Sequence, residues 1–363
     1  MADHSSLQRW IDMGLFDPSA SDAESLRQVL TFYDSMGIDA ADFEGVEPAD
    51  LMAAINMRIL RPGRRYTAAE ARSAAGLDDA RFERLCRSAG YALDGEFTEM
   101  DIKAIAGFAT ASPLFSDGAI NDFARTLSSA MARVADATTS VFRIDIGSQI
   151  EAAGGAEIDY ARKNQESAAL IEGLFLGMRA LFLNQLTDAV RLGDGGWRAS
   201  TSGAATTIKV AVGFVDIVGY TQLSGSLEPD DLADFIRDFE AQAIELVTEH
   251  GGRLAKLIGD AIMFVAVDPV QAVAIAEAIL AAFDGTAAQP RGGLAYGEVI
   301  ALGGDYYGTV VNLASRIADQ AVPGEILVDG ATVDRAGKQG FETAGRRQLK
   351  GFDEPVALFT YRR

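Results

Sequence analysis

The sequence predicts an α+β protein: an all-α N-terminal half followed by a ferredoxin-like βαββαβ unit. Three observations carry this reading. In the first half, apolar residues recur at spacings of three and four, as in Leu51, Ile55, Ile59 and again in Leu170, Leu174, Met178, Leu181, the period of helices with one buried face. A turn-rich stretch of small and polar residues then runs from Gly193 into TSGAATT, the composition of a linker. Beyond it, short apolar runs alternate with helical segments, as when helices pack on a sheet. The expected boundaries are a helical domain over 1–192, a linker over 193–206 and a second domain over 207–363.

Helix starts are marked in the first half. Thr67 precedes AAEA with Glu70 three residues on, a capping box in which each residue satisfies the other's backbone N–H. Asp50, Asp78 and Thr98 are further expected caps. The pattern predicts many short helices and one longer helix from about Ile158 to Leu192. Within it, YTAAEARSAAGLDDARFERLCRSAGY resembles a helix-turn-helix segment with locally dense arginines: Arg64, Arg65, Arg72, Arg81, Arg84 and Arg87. In so acidic a chain these arginines are expected to pair with nearby carboxylates rather than to bind DNA.

The second half reads as follows. Ile208 to Val218 is a near-continuous apolar run, suited to a strand buried on both faces. Pro229 to His250 is helical. Gly252 to Ile258 and Ala261 to Val267 are strands around a Gly259-Asp260 turn, and Val270 to Phe283 is an alanine-rich helix. Gly292 to Val299 is a strand, Thr309 to Ala318 a helix, and Glu325 to Val328 and Val356 to Tyr361 are late strands.

The 363 residues carry a formal net charge of −20, which argues against general binding to nucleic acid or an anionic membrane, since both rest on basic surface. A single cysteine, Cys86, allows no internal disulfide and fits a reducing compartment. The start MADHSSLQRW lacks a basic segment followed by an apolar one. The longest apolar stretch, GLFLGMRALFLNQL from Gly173 to Leu186, is interrupted by Arg179 and is too short to span a bilayer. The expectation is a cytoplasmic protein without membrane insertion. The apolar faces of the helical half offer room for a lipid-like ligand.

Several residues stand out chemically. Asp216 ends the run VAVGFVD, and a carboxylate there is costly unless solvated, paired or metal-bound. Gly219, just after it, permits close backbone approach. Asp260 sits at a tight turn between two strands, and a ferredoxin-like order brings that hairpin beside the strand of Asp216. Two carboxylates converging there repel one another unless a divalent cation lies between them. Lys256 is an unusual lysine among Leu254, Leu257 and Ile258. Asp305 lies in a glycine-rich turn, and Asn312 and Arg316 share one face of a helix.

Taken together, GFVDIVGYTQLS, KLIGDAIMFV, DYYGTVVNLASRI and LKGFDEPVALFTYRR resemble the catalytic domain of class III adenylyl cyclases, in order and with compatible spacing. The resemblance implies conversion of ATP to 3′,5′-cyclic AMP using two divalent metal ions, magnesium or manganese. It implies Asp216 and Asp260 as metal ligands with the carbonyl of Ile217. Lys256 and Asp305 become the pair that reads adenine, Asn312 orients the ribose, and Arg316 stabilises charge on the α-phosphate. Arg291 and Lys350 become phosphate contacts, and the backbone of Gly219, Tyr220 and Thr221 holds the triphosphate. It also implies a homodimer with composite sites, metal ligands from one subunit and base-reading residues from the other. The segment from Gly297 to Asp305 is shorter than in mammalian relatives, which touches local dimer contacts. The N-terminal layout resembles the regulatory domain of mycobacterial-type cyclases activated by acid. With only His4 and His250 present, such sensing falls to carboxylates. Two competing readings are a catalytically silent cyclase fold serving as a nucleotide-responsive interaction module, disfavoured by the intact Asp216, Asp260, Asn312 and Arg316, and a guanylyl cyclase, disfavoured by Lys256 and Asp305.

Overall fold

The computed structural model describes residues 4–194, 198–199, 206–286 and 289–362. The chain divides into two compact units, Met1–Leu181 and Phe182–Arg363. Most of the expected linker (195–197 and 200–205) lies outside the described residues.

The N-terminal unit is helical. It contains α1 (His4–Asp12), α2 (Ala23–Ser35), α3 (Leu51–Leu60), α4 (Ala68–Ala75), α5 (Asp79–Ala89), α6 (Glu99–Ala109), α7 (Asp117–Val141), α8 (Ser148–Ala152) and the start of α9 (Glu157–Asp194). Two apolar clusters hold it. One joins Trp10, Leu30, Tyr33, Leu51 and Ile55 with Ala161. The other joins Phe82, Leu85, Phe97, Ile105 and Ile120. The Thr67 capping box forms, with Thr67 N–H donating to Glu70 Oε2 at 2.8 Å and Glu70 N–H donating to Thr67 Oγ1 at 3.3 Å. Thr98 forms a second box with Asp101, and Asp78 accepts from Arg81 N–H. Asp50 caps α3 without a side-chain bond, because it is itself the last residue of a 3₁₀ turn, Pro48–Asp50, and adopts helical angles rather than the extended ones a cap needs.

Among the arginines of the helix-turn-helix-like segment, Arg64 pairs with Glu70, Arg65 with Glu96, Arg72 with Asp79, Arg81 with Asp117 and Arg87 with Glu83. The long helix α7 departs from the expected run of short ones. Only Ile120 and Ala124 of its residues are buried, so its apolar stripe is too short to mark its length. An apolar groove of about 790 Å³ lies between α6 and α7, lined by Phe108, Phe115, Ile120 and Phe123 among others.

The C-terminal unit is built on a sheet. Its strands are β1 (Arg198–Ala199), β2 (Thr206–Ile217), β3 (Arg253–Ile258), β4 (Ala261–Ala266), β5 (Pro290–Leu302), β6 (Asp305–Tyr307), β7 (Ile326–Asp329), β8 (Phe341–Arg347) and β9 (Val356–Tyr361). Its helices are α10 (Tyr220–Ser224), α11 (Pro229–Glu249), α12 (Pro269–Ala282), α13 (Thr309–Ala318) and α14 (Gly330–Ala336). The strand order is β3-β4-β2-β5-β7-β9-β8, with β1 beside β2 and β6 beside β5. The run β2-α11-β3-β4-α12-β5 is the expected ferredoxin-like core. Both terminal strands of the sheet carry a register shift, between Leu254 and Lys256 in β3 and between Thr343 and Gly345 in β8.

Strand β2 is covered on both faces, as its sequence predicts. Ala211 and Val215 point into a cluster with Phe239, Val247, Ile275 and Ile279 of α11 and α12. Ile208, Val210 and Val212 point into the opposite cluster with Ala314 and Ile317 of α13. Alternation along the strand therefore puts Asp216 on the α13 face. That helix sits very close to the sheet. A β-carbon on Gly293 would lie 2.1 Å from the backbone nitrogen of Ala318, and one on Gly297 would lie 2.7 Å from the Val310 side chain. The glycine spacing in RGGLAYGEV is thus a seat for α13. Gly293→Ala forces the helix backbone itself to move, and should lower stability by ~3 kcal/mol, read as a reduced urea midpoint.

Candidate active site

Asp216 and Ile217 close β2. Asp216 pairs in register with Ala261 of β4 on one side and with Arg291 of β5 on the other. The β3–β4 hairpin turns in two residues, Gly259-Asp260, with Gly259 at φ 61°, a left-handed conformation that glycine adopts without strain. This tight turn brings Asp260 alongside, and its carbonyl accepts the Ile217 N–H at 3.3 Å. Asp216, Ile217 and Asp260 are therefore brought together at one end of adjacent strands.

Arg291 meets Asp216 as a fork. Its Nε donates to Oδ1 at 2.8 Å and its Nη2 to Oδ2 at 3.0 Å. Its Nη1 donates to the carbonyls of Asp319 and Ala321 at 3.0 and 3.3 Å. Both Arg291 and Asp216 have side chains only 23% exposed. The neighbouring Asp216 carboxylate, chiefly through this hydrogen bonding, raises the pKa of the guanidinium further above its already high value, so its charge is fixed.

Lys256 and Asp305 also meet. Lys256 Nζ donates to Asp305 Oδ2 at 2.5 Å, and the Tyr306 N–H donates to Oδ1 at 2.7 Å. The side chains are 35% and 27% exposed, so the pair is held in place and still reachable. Asn312 and Arg316 lie one turn apart on α13. Asn312 is exposed, and Arg316 pairs with Asp319 at 3.0 Å. An exposed pair of this kind contributes about 0–1 kcal/mol, so Arg316 exchanges partners at little cost. Lys350 is exposed in the turn before Phe352, beside the buried Leu349.

Gly219 has φ 77°, and its carbonyl accepts the N–H groups of Gln222 and Leu223. It therefore starts α10, whose first-turn N–H groups lack partners within the helix. The partly buried Tyr220 ring packs against the α11–α12 cluster. The Thr221 side chain lies outside the described residues.

Two carboxylates and a backbone carbonyl are hard oxygen donors, the chemistry that suits magnesium or manganese. Among the described residues no cluster of three or more histidine, cysteine, aspartate or glutamate side chains gathers. A cation at Asp216 and Asp260 must complete its coordination from carbonyls, water or a bound phosphate chain.

Two partners escaped the sequence reading. Asp319 pairs with Arg316 through its side chain and with Arg291 through its carbonyl. Its three-residue spacing from Arg316 was a readable signal. The Asp216–Arg291 fork spans 75 residues of sequence and becomes visible only once the β2–β5 register is known.

The family described as the adenylate and guanylate cyclase catalytic domain matches residues 204–361. An adenylate cyclase of Streptomyces coelicolor is 31% identical over 302 residues, covering 81% of this chain and 76% of that protein. An uncharacterised protein of Mycobacterium tuberculosis is 32% identical over 300 residues, covering 81% and 78%. A pH-sensitive adenylate cyclase, also of Mycobacterium tuberculosis, is 30% identical over 234 residues, covering 58% and 55%. The chain belongs to the class III nucleotidyl cyclases and, within them, to the adenylate cyclases.

Proposed function

We propose that two copies of this chain convert ATP to 3′,5′-cyclic AMP and pyrophosphate at composite sites. The observation that carries the substrate reading is the preformed Lys256–Asp305 pair at 2.5 Å. It sets a donor beside an acceptor, the complement of adenine N1 and its exocyclic amine, whereas guanine offers the reverse pattern.

Asp216, Asp260 and the Ile217 carbonyl of one subunit would hold two divalent cations, magnesium or manganese. Bound there, these supply a lowered pKa for the ribose 3′-hydroxyl and charge neutralisation for the leaving pyrophosphate. Lys256 and Asp305 of the other subunit orient the base. Asn312, one turn from Arg316 on α13, orients the ribose. Arg316 leaves its weak pairing with Asp319 to meet the charge that builds on the α-phosphate. Lys350 meets the terminal phosphates, Arg291 contacts the phosphate chain from its place beside Asp216, and the N–H groups at Gly219, Tyr220 and Thr221 cradle the chain between. The 3′-oxygen forms its bond to the α-phosphorus as the bond to the bridging oxygen of pyrophosphate breaks. No covalent enzyme intermediate is needed.

The helical unit is proposed as a regulator that restrains the catalytic pair and releases it in acid. The match to a relative named pH-sensitive supports this; with only His4 and His250 in the chain, the response would have to fall to carboxylates. The groove between α6 and α7 is where a lipid-like ligand would lie. Among the described residues no helix is long and apolar enough to cross a membrane.

Asp216→Ala should lower cyclic AMP formation from ATP with manganese by at least ~100-fold; an activity within threefold of wild type would remove Asp216 from the mechanism. Changing Lys256 to Glu and Asp305 to Cys together should weaken ATP use and admit GTP, read from kcat/KM for each nucleotide. Unchanged ATP turnover would show that the base is read elsewhere. Assayed between pH 5 and 8, the full chain should gain activity towards acid relative to the fragment 207–363. Superimposable profiles would assign no pH response to the helical unit.

A further inference from the structure

Two arginines from different strands hold the turn that follows α13. Arg291 of β5 donates to the carbonyls of Asp319 and Ala321, and the carbonyl between them, on Gln320, accepts from Arg347 Nη1 at 2.8 Å. Three successive carbonyls are thus gripped by guanidinium groups, at the end of a helix where the dipole also favours cations. Arg347 is the last residue of β8 and lies opposite Val356 of β9. Lys350 follows three residues later, in a turn that is itself well tied. Phe352 N–H donates to the Leu349 carbonyl at 3.1 Å, and Arg346 Nη2 donates to the Pro355 carbonyl at 2.6 Å. Leu349 is buried in the cluster that contains Ala314 and Ile317 of α13 together with Ala321, while Lys350 beside it is exposed. The turn bearing Lys350 is therefore joined to α13 in two ways, by a shared apolar cluster and by the Arg347 bond.

We infer that Arg347 is a positioning residue that sets the distance between Lys350 and Arg316, so that both reach one triphosphate at once. This rests on the reading above of Lys350 and Arg316 as phosphate contacts. Arg347 touches no reacting atom in this role, since its partner is the main-chain carbonyl of Gln320, four residues beyond Arg316. Apolar packing is non-directional, so the buried Leu349 alone lets the turn slide against the helix. A hydrogen bond has a preferred length and angle, and the Arg347 bond fixes the register between them. Without it, Lys350 still grips the terminal phosphates in the ground state. The mismatch then falls on Arg316, where charge builds only in the transition state. A misplacement of about 1 Å at such a group costs on the order of 100-fold in rate. The loss therefore lies in kcat more than in KM.

The test is a double-mutant cycle on the full-length protein. The kcat and KM for ATP are measured with manganese for wild type, Arg347→Met, Lys350→Ala and the double variant, with thermal melts to show that each is folded. Arg347→Met should lower kcat by about tenfold or more and change KM by less than about threefold. In Lys350→Ala no second anchor has to be kept in step with Arg316. Adding Arg347→Met there should lower kcat by no more than about threefold further. If Arg347→Met does not fold, Arg347→Lys takes its place, a charged donor on a shorter stem, and its loss should depend on Lys350 in the same way. Equal losses in the two backgrounds overturn the inference, because a merely weakened fold lowers the active fraction whether or not Lys350 is present. A wild-type kcat in Arg347→Met overturns it as well. If Lys350→Ala itself keeps the wild-type kcat/KM for ATP, the reading of Lys350 as a phosphate contact fails, and the positioning role fails with it.

Discussion

Strand β2 is hydrogen-bonded on both sides, to β4 and to β5, and the site depends on the register of those two pairings. Asp216 lies opposite Ala261 in one and opposite Arg291 in the other. The first pairing sets it next to the hairpin that bears Asp260. The second gives it a cationic neighbour, Arg291. Because side chains alternate along a strand, a slip of one residue would turn Asp216 from the α13 face to the α11–α12 face. The two-sided apolar burial of β2 guards against such a slip, since it would also exchange Val210 and Val212 with Ala211 and Val215 between cores of different shape.

The same economy governs α13. The helix carrying Asn312 and Arg316 is placed by what β5 lacks, side chains at Gly293 and Gly297. Its C-terminal turn is then fastened through the carbonyls of Asp319 and Ala321 to Arg291. The acidic end of β2 and the basic helix are thus two ends of one hydrogen-bonded chain within a subunit. If each subunit contributes these ends to different composite sites, the geometry of one site is tied physically to that of the other.

Where the chain repeats an apolar pattern that is actually buried, the sequence foretells the element closely. Helix α13 and strand β9 run over the expected residues, and β2, α11 and α12 differ from expectation by a residue or two at their ends. Strand β8 escaped notice because it is an edge strand with little buried surface, FETAGRR, broken by Gly345. Helix α7 escaped because most of its 25 residues are exposed. At the site, local motifs sufficed to single out Lys256 and Asp305, which the fold joins directly. They did not reveal that both oxygens of Asp216 are engaged by Arg291, since that depends on a pairing between distant strands. Capping shows the same limit. Thr67, Thr98 and Asp78 form the expected bonds, while Asp50 is diverted by a preceding 3₁₀ turn that no local rule had marked.

The two end strands of the sheet share one irregularity. Each is bulged, β3 next to Lys256 and β8 next to Gly345. A bulge twists a strand and interrupts the even row of N–H and C=O groups that another chain needs as a template. Growth of the sheet by stacking further chains along its rims is therefore discouraged at both limits. An assembly of this protein can stay finite, joined through side chains rather than extended by backbone.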